Sequence, residues 1–213
     1  MPFIYPKSKH KRKLTPCRYT KYQSYKPYLQ TEFNNKCVYC MTPDTLNNYN
    51  NFGVDHYRPK TIFPELINEY SNLFYCCNKC NSLKGHYWPK TGREHLFIPN
   101  PCDHTMTEHL KFKDDLVYPK TDAGSFTVET LCLNDDKVVS FRQFLIVSKK
   151  ALISQLYDLE STLKEIESRI STSKDLNLKG LLSEKCLTIK DIQNIKNSIM
   201  IVEGIKEINT TSH

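Results

Sequence analysis

The chain has 213 residues, 25% of them charged and 39% hydrophobic, which suits one globular domain with an extension or two small domains. No run approaches the roughly 20 consecutive apolar residues of a membrane helix, and no apolar signal core follows the basic N-terminus. The chain is therefore expected to be neither membrane-spanning nor signal-directed, and to be cytoplasmic.

The formal net charge of +7 is unevenly placed. Residues 1–28 hold eight basic residues and no acid, while the rest of the chain carries 22 basic against 23 acidic residues. A basic arm on a near-neutral body is the layout of a chain that meets a polyanion. Lys11, Arg12 and Lys13 are the candidate nucleic-acid contacts within it. Tyr19, Tyr22, Tyr25 and Tyr28 are interleaved with the charges; they either stack on bases or pack along one face on the body.

Residues 29–99 carry the chemistry. Cys37-x-x-Cys40 and Cys77-x-x-Cys80 are separated by 36 residues. Two CxxC knuckles can close one tetrahedral four-cysteine zinc site, and nothing here has the βαβ pattern that a redox CxxC requires. The other cysteines, among them Cys76, read as buried or incidental thiols. Asn47–Asn51 reads as a polar loop. It leads into a short strand, Phe52-Gly53-Val54, with Asp55 and His56 at its end. Pro59 must take the chain out of that strand. A helix is expected within 64–75, ending near Asn72, and another helix or turn from Asn81.

Cys37-x-x-Cys40, Asp55-His56, Asn72-Leu73, Cys77-x-x-Cys80-Asn81 and Lys84 together resemble the zinc-stabilised branch of the HNH endonucleases, over about a quarter of the chain. The resemblance implies a ββα-metal finger, with Zn2+ held by Cys37, Cys40, Cys77 and Cys80. It implies His56 as general base and Asp55 and Asn81 as ligands of one catalytic Mg2+ or Mn2+ ion. It also implies Asn72 as the side chain that orients the His56 loop, and Lys84, with Arg58 and Lys60, as groups that approach the phosphate of DNA. The run His56-Tyr57-Arg58-Pro59-Lys60 further resembles HNH subunits of anti-phage defence systems, in which the nuclease stands beside an ATPase. Residues 126–134 and Arg142 resemble the region that follows the finger in many bacterial HNH proteins. The reading from chemistry agrees: phosphodiester hydrolysis needs an activated water and a cation for the developing charge, and a neutral imidazole can take the water proton near pH 7. The rival is a non-catalytic zinc-ribbon module that binds nucleic acid or protein.

Residues 100–142 read as a β and loop region. Leu110–Val117 and Ser125–Leu133 are expected to pair as a hairpin, with a turn at Asp122-Ala123-Gly124. Over 143–213 the character changes. Leu152, Leu156, Leu159, Leu163, Ile166 and Ile170 follow helical spacing, Ser171–Asn177 breaks it, and Ile189, Ile192, Ile195, Ile199, Val202 and Ile205 form a second apolar series. Two such helices most simply form an antiparallel hairpin. Their long apolar stripes suit a partner or a second copy, or else pack as a self-contained hairpin on residues 100–142, and the family resemblance implies an ATPase subunit as the partner. The fold class expected is α+β: an HNH finger with a four-cysteine zinc site, a short β-hairpin region and a C-terminal helical hairpin.

Overall fold

The computed structural model describes residues 3–45, 52–172 and 178–205; the loop expected at Asn47–Asn51 lies outside them. The fold is mixed helix and strand, with two small sheets and C-terminal helices.

The N-terminal segment runs extended to a 3-10 turn at Tyr22–Tyr25 and the helix α1, Lys26–Glu32. It is less free than its charge suggests. Along 11–16, exposed residues alternate with half-buried ones, so each second side chain faces the body. Glu32, the last residue of α1, is the anchor. Its buried carboxylate accepts from the Lys13 backbone N–H at 2.6 Å, from Arg12 Nη1 at 3.1 Å and from the Tyr70 hydroxyl at 2.6 Å. Arg12 also donates to the Leu73 carbonyl at 2.6 Å, and its guanidinium lies over Phe33, Tyr70 and Phe74.

The finger follows. Strand β1, Phe52–His56, pairs antiparallel with β2, Leu73–Cys77, in the register Asp55 opposite Phe74 and His56 opposite Leu73. Every residue of β2 is buried. The helix α2, Asn78–Lys84, starts directly from β2, with Cys77 as its N-cap. The expected helix within 64–75 is instead two 3-10 turns, Pro64–Leu66 and Tyr70–Asn72. The segment crosses from the end of β1 to the start of β2 in sixteen residues and must keep turning.

A short helix α3, Met106–His109, precedes the hairpin of β3, Leu110–Lys113, and β4, Leu116–Pro119. Here the sequence expectation needs correction. β3 pairs with β4, and Ser125–Leu133 is no strand: Asp122–Thr130 is a helix, α4. Thr121 caps it, accepting from the Gly124 N–H at 3.1 Å. Thr127 returns its hydroxyl to the Ala123 carbonyl at 2.6 Å, so a strand former is accommodated in the helix. Gly124 is no turn residue. A Cβ there would stand 2.1 Å from the His109 carbonyl oxygen, and glycine permits the close approach of α4 to the hairpin.

The C-terminal hairpin comprises α5, Asp136–Thr172, and α6, Leu178–Glu203. The ion pairs Lys149–Glu203, Glu160–Lys196 and Glu167–Lys185 advance along one helix as they retreat along the other, so the pair is antiparallel. The apolar series on α5 is buried or half-buried throughout. On α6 the inward stripe is Leu181, Thr188, Ile192, Ile195, Ile199 and Val202, whereas Ile189 and Ile205 are exposed. The polar Thr188 takes the inward position and the neighbouring isoleucine turns out. Phe3, Leu145 and Val202 form the small core through which the base of the hairpin meets the body.

Glu32 sets a pH dependence. Burial opposes its charge, but the Tyr70 hydroxyl, the Lys13 N–H and Arg12 outweigh burial and hold its pKa below the ordinary glutamate value. A depressed folded-state pKa contributes stability above the unfolded pKa and loses it as pH falls through the folded one. Glu32→Gln is expected to cost about 1–3 kcal/mol at pH 7, with the urea midpoints of variant and wild type converging as pH falls below 4.5. Parallel midpoints from pH 7 to pH 3 would remove Glu32 as the anchor of the arm.

Candidate functional site

Two tight turns build the metal centre. In the first knuckle, Met41 N–H returns to the Cys37 carbonyl at 2.9 Å, and Val38 N–H reaches the Tyr75 carbonyl at 3.1 Å, tying the knuckle to β2. In the second, Cys77 Sγ accepts from Cys80 N–H at the start of α2. The four sulfurs lie within 4.8 Å of one another, and all four residues are buried. Cys40 Sγ and Cys77 Sγ stand 3.7 Å apart. Sulfurs about 2.3 Å from a central zinc at tetrahedral angles stand about 3.8 Å apart, so the cluster is a zinc site by spacing as well as by ligand type. Burial holds the Cys37 thiol well above its ordinary range, whereas hydrogen bonds from Cys37, Cys77 and Cys80 hold Cys40 well below its own. Four thiolates are accommodated in such an interior only with a cation among them.

A separate cleft of about 420 Å3 opens along β1 and α2, lined by Tyr22, Asp55, His56, Lys60, Asn81 and His86 among others. His56, the last residue of β1, places Nε2 2.9 Å from the Ile67 carbonyl oxygen. A carbonyl only accepts, so this contact assigns the proton to Nε2 and leaves the Nδ1 lone pair free. Burial, with Lys60 and Lys84 nearby, lowers the His56 pKa below its usual value against the opposing Ile67 and Asp55 contributions. Burial and the two lysines thus favour the neutral imidazole.

Asp55 is 2% exposed. Its Oδ2 accepts from the Tyr39 hydroxyl at 2.6 Å and its Oδ1 from Lys84 Nζ at 2.9 Å. Tyr39 lies inside the first zinc knuckle, so the metal centre and the cleft share a hydrogen bond. Asn72 grips the backbone after His56: its Oδ1 accepts from Arg58 N–H at 2.9 Å and its Nδ2 donates to the Arg58 carbonyl at 3.1 Å.

The cleft thus brings together Asp55, His56, Asn81 and Lys60. Two of the expected phosphate-facing cations are placed elsewhere. Lys84 is 3% exposed, and its ammonium is used inside the fold, on Asp55 and on the His56 carbonyl at 2.8 Å; an amine so held meets no phosphate. Arg12 is likewise withdrawn from the nucleic-acid set by Glu32 and the Leu73 carbonyl. Lys11 and Lys13 remain exposed. Arg58 is exposed and lies over Phe63 and Trp88, outside the residues lining the cleft. Tyr22, expected only as one of four interleaved tyrosines that stack on bases or pack on the body, meets His56 edge-on at 4.5 Å between ring centroids. Sequence reasoning gave no role to Tyr39, which tertiary contact alone identifies.

The family model of the HNH endonucleases matches residues 37–87, which span both knuckles, β1, β2 and α2. Over 158 residues the chain is 29% identical to the Septu protein PtuB of Bacillus thuringiensis, covering 72% of this chain and 54% of that protein. Over 119 residues it is 31% identical to the Septu protein PtuB of Bacillus mycoides, covering 43% of this chain and 39% of the relative. The chain thus spans about half the length or less of the curated relatives it matches. No solved structure matches it.

The metal centre generates one expectation. Structural zinc contributes about 10 kcal/mol or more of apparent binding free energy, beyond what a finger of two five-residue strands and a seven-residue helix can replace. Cys37→Ser and Cys80→Ser are expected to yield insoluble or unfolded protein, and the wild type to carry one zinc by elemental analysis. A soluble, native-like Cys80→Ser variant by circular dichroism would refute the assignment.

Proposed function

We propose, from the premise that residues 37–87 belong to the HNH endonuclease family, that this chain hydrolyses DNA phosphodiester bonds in a divalent-metal-dependent reaction. One observation carries the reading: His56, with Nε2 satisfied by the Ile67 carbonyl and Nδ1 unengaged, shares a cleft with Asp55 and Asn81. A zinc-ribbon binding module has no use for that arrangement.

His56 Nδ1 takes the proton of the attacking water, and the Ile67 contact keeps the ring in the correct tautomer throughout. Asp55 and Asn81, both lining the cleft, are the hard oxygen donors that would hold Mg2+ or Mn2+. When bound, such a cation supplies charge stabilisation at the scissile phosphate and the leaving oxygen. Lys84 positions Asp55 from within the fold, and Asn72 fixes the backbone after His56. Lys60 at the cleft and exposed Lys11 and Lys13 attract the phosphate backbone, with Arg58 as a further outer contact.

The His56–Lys60 run and the Septu relatives support a place in anti-phage defence, in the cytoplasm. We assign the exposed apolar residues of the C-terminal hairpin, including Val147, Tyr157 and Leu187, to docking an ATPase subunit or a second copy of the chain.

A plasmid-cleavage assay with Mg2+ or Mn2+ tests the reading. His56→Ala is expected to cut roughly 10²–10⁴-fold more slowly with DNA binding and zinc content retained. Asp55→Ala is expected to lose the response to added metal as well. Wild-type rates from His56→Ala would remove it from the mechanism, and a wild type inert on every nucleic acid and metal, with or without partner, would establish the binding module instead.

Charge on the arm has its own readout. Each lost phosphate contact makes the salt dependence of DNA affinity shallower by about 0.9 in log–log slope on duplex DNA. Replacing exposed Lys7, Lys9, Lys11 and Lys13 by glutamine, with Arg12 left in place to hold the arm, is expected to flatten the slope and weaken binding alike on unrelated sequences. An unchanged slope would assign these lysines to solubility.

A further inference from the structure

Arg142, in the first turns of α5, is the largest fully buried side chain among the described residues, with 0% exposure. Its guanidinium makes one hydrogen bond, from Nη1 to the Asp115 carbonyl at 3.0 Å, and Nε and Nη2 have no partner. Among the described residues no carboxylate forms an ion pair with it. A guanidinium keeps its proton at any physiological pH, and an ion buried without a counter-charge costs several kcal/mol. The charge must be matched by something nearby.

The surroundings identify it. The guanidinium lies over Phe112, 5.1 Å from the ring centroid. Phe112 stacks on Tyr5 at 4.7 Å, and the Tyr5 hydroxyl donates to the Tyr39 carbonyl inside the Cys37–Cys40 knuckle at 2.7 Å. The preceding residue, Phe141, lines an apolar cavity of about 270 Å3 together with Cys40, Cys77 and Cys80. Four thiolates around Zn2+ carry a net charge of minus two, and three of the four cysteines line the same cavity as Phe141, the residue before Arg142. The surroundings are felt electrostatically too: burial lowers the Arg142 pKa, and Cys40 foremost, then Tyr5, Cys80 and the Asp115 carboxylate, oppose that shift.

We infer that Arg142 is the outer-sphere counter-ion of the four-cysteine zinc centre, so that the C-terminal hairpin, which lies beyond the family domain, is an electrostatic part of the metal site. The buried cation offsets the excess negative charge of the tetrathiolate, and the tetrathiolate accounts for a buried cation that forms no ion pair with a carboxylate. Coupling of this kind is reciprocal: zinc favours docking of α5 on the finger, and docked α5 raises zinc affinity. The π-faces of Phe112 and Phe3 supply the remaining stabilisation of the guanidinium.

The test measures zinc affinity of the full chain by competition with a chromogenic chelator, a readout independent of any nuclease activity. Arg142→Met, near in length but uncharged, is expected to bind zinc roughly 10–100-fold more weakly, the usual cost of removing an outer-shell partner, while Arg142→Lys keeps most of the affinity. Cys80→His lowers the centre's net charge to minus one, so the penalty of Arg142→Met is expected to shrink in that background. Equal affinities of Arg142→Met and wild type, or a penalty unchanged by Cys80→His, would overturn the inference. Should Arg142→Met alone fail to fold, recovery of soluble zinc-bound protein on adding Cys80→His supports the counter-ion role, and no recovery overturns it.

Discussion

Four buried sulfurs are the constraint on which the rest of this structure depends. The two CxxC knuckles come from distant parts of the chain, and their convergence, with the Val38–Tyr75 backbone bond, holds the loop after α1 against the β2–α2 junction. The strands are too short and the helix too brief to do this by burial of apolar surface. Once the knuckles are closed, Tyr39 is fixed between Cys37 and Cys40, and its hydroxyl reaches Asp55 across the fold. The metal centre thereby positions the first acid of the cleft through a single hydrogen bond.

A second layer of order comes from charges used internally. Lys84 sits under β1 and bonds both Asp55 and the His56 carbonyl, so it holds the two catalytic candidates in register. Glu32 acts similarly on the N-terminal segment: it collects Arg12, the Lys13 backbone and Tyr70, and carries the arm across the face of the finger. The path of that arm brings Tyr22 to the edge of His56. Polar groups in these positions are tolerated because they are hydrogen-bonded: Glu32 collects three donors, and Lys84 donates twice. The basic arm is therefore two things at once. Its inward residues are part of the fold, and its outward lysines form the electrostatic surface.

The C-terminal hairpin joins this body at its base. Phe3, Leu145 and Val202 meet there, Gly204 approaches Pro43 too closely for any side chain, and the Asn35 amide donates to the Gly204 carbonyl. Beyond the base the two helices depend on one another, through the α6 stripe, the α5 series and paired charges along their length. Surface ion pairs of this type contribute little individually, so the apolar seam sets the association and the charges set its antiparallel register.

The sequence by itself determined the local chemistry. CxxC spacing dictates a knuckle because two thiolates three residues apart reach one metal, and the position of Asp55 and His56 at the end of a short strand follows from Pro59 breaking the ladder. Helical periodicity placed α5, whose seam follows the predicted series. What local signals could not carry was decided by the tertiary structure. Phe126-Thr127-Val128 has strand propensity yet is helical, because the Thr121 cap and the fit of Gly124 against His109 outweigh a preference worth tenths of a kcal/mol per residue. Ile189 fits the apolar period yet faces outward, since the partner helix accepts Thr188 instead. Lys84 and Arg12 read as phosphate-facing cations in one dimension, and Arg142 has no charge role there. Their burial depends on Asp55, Glu32 and the sulfur cluster, partners up to about a hundred residues away in the chain, and no spacing rule records which charge will meet which once the backbone closes.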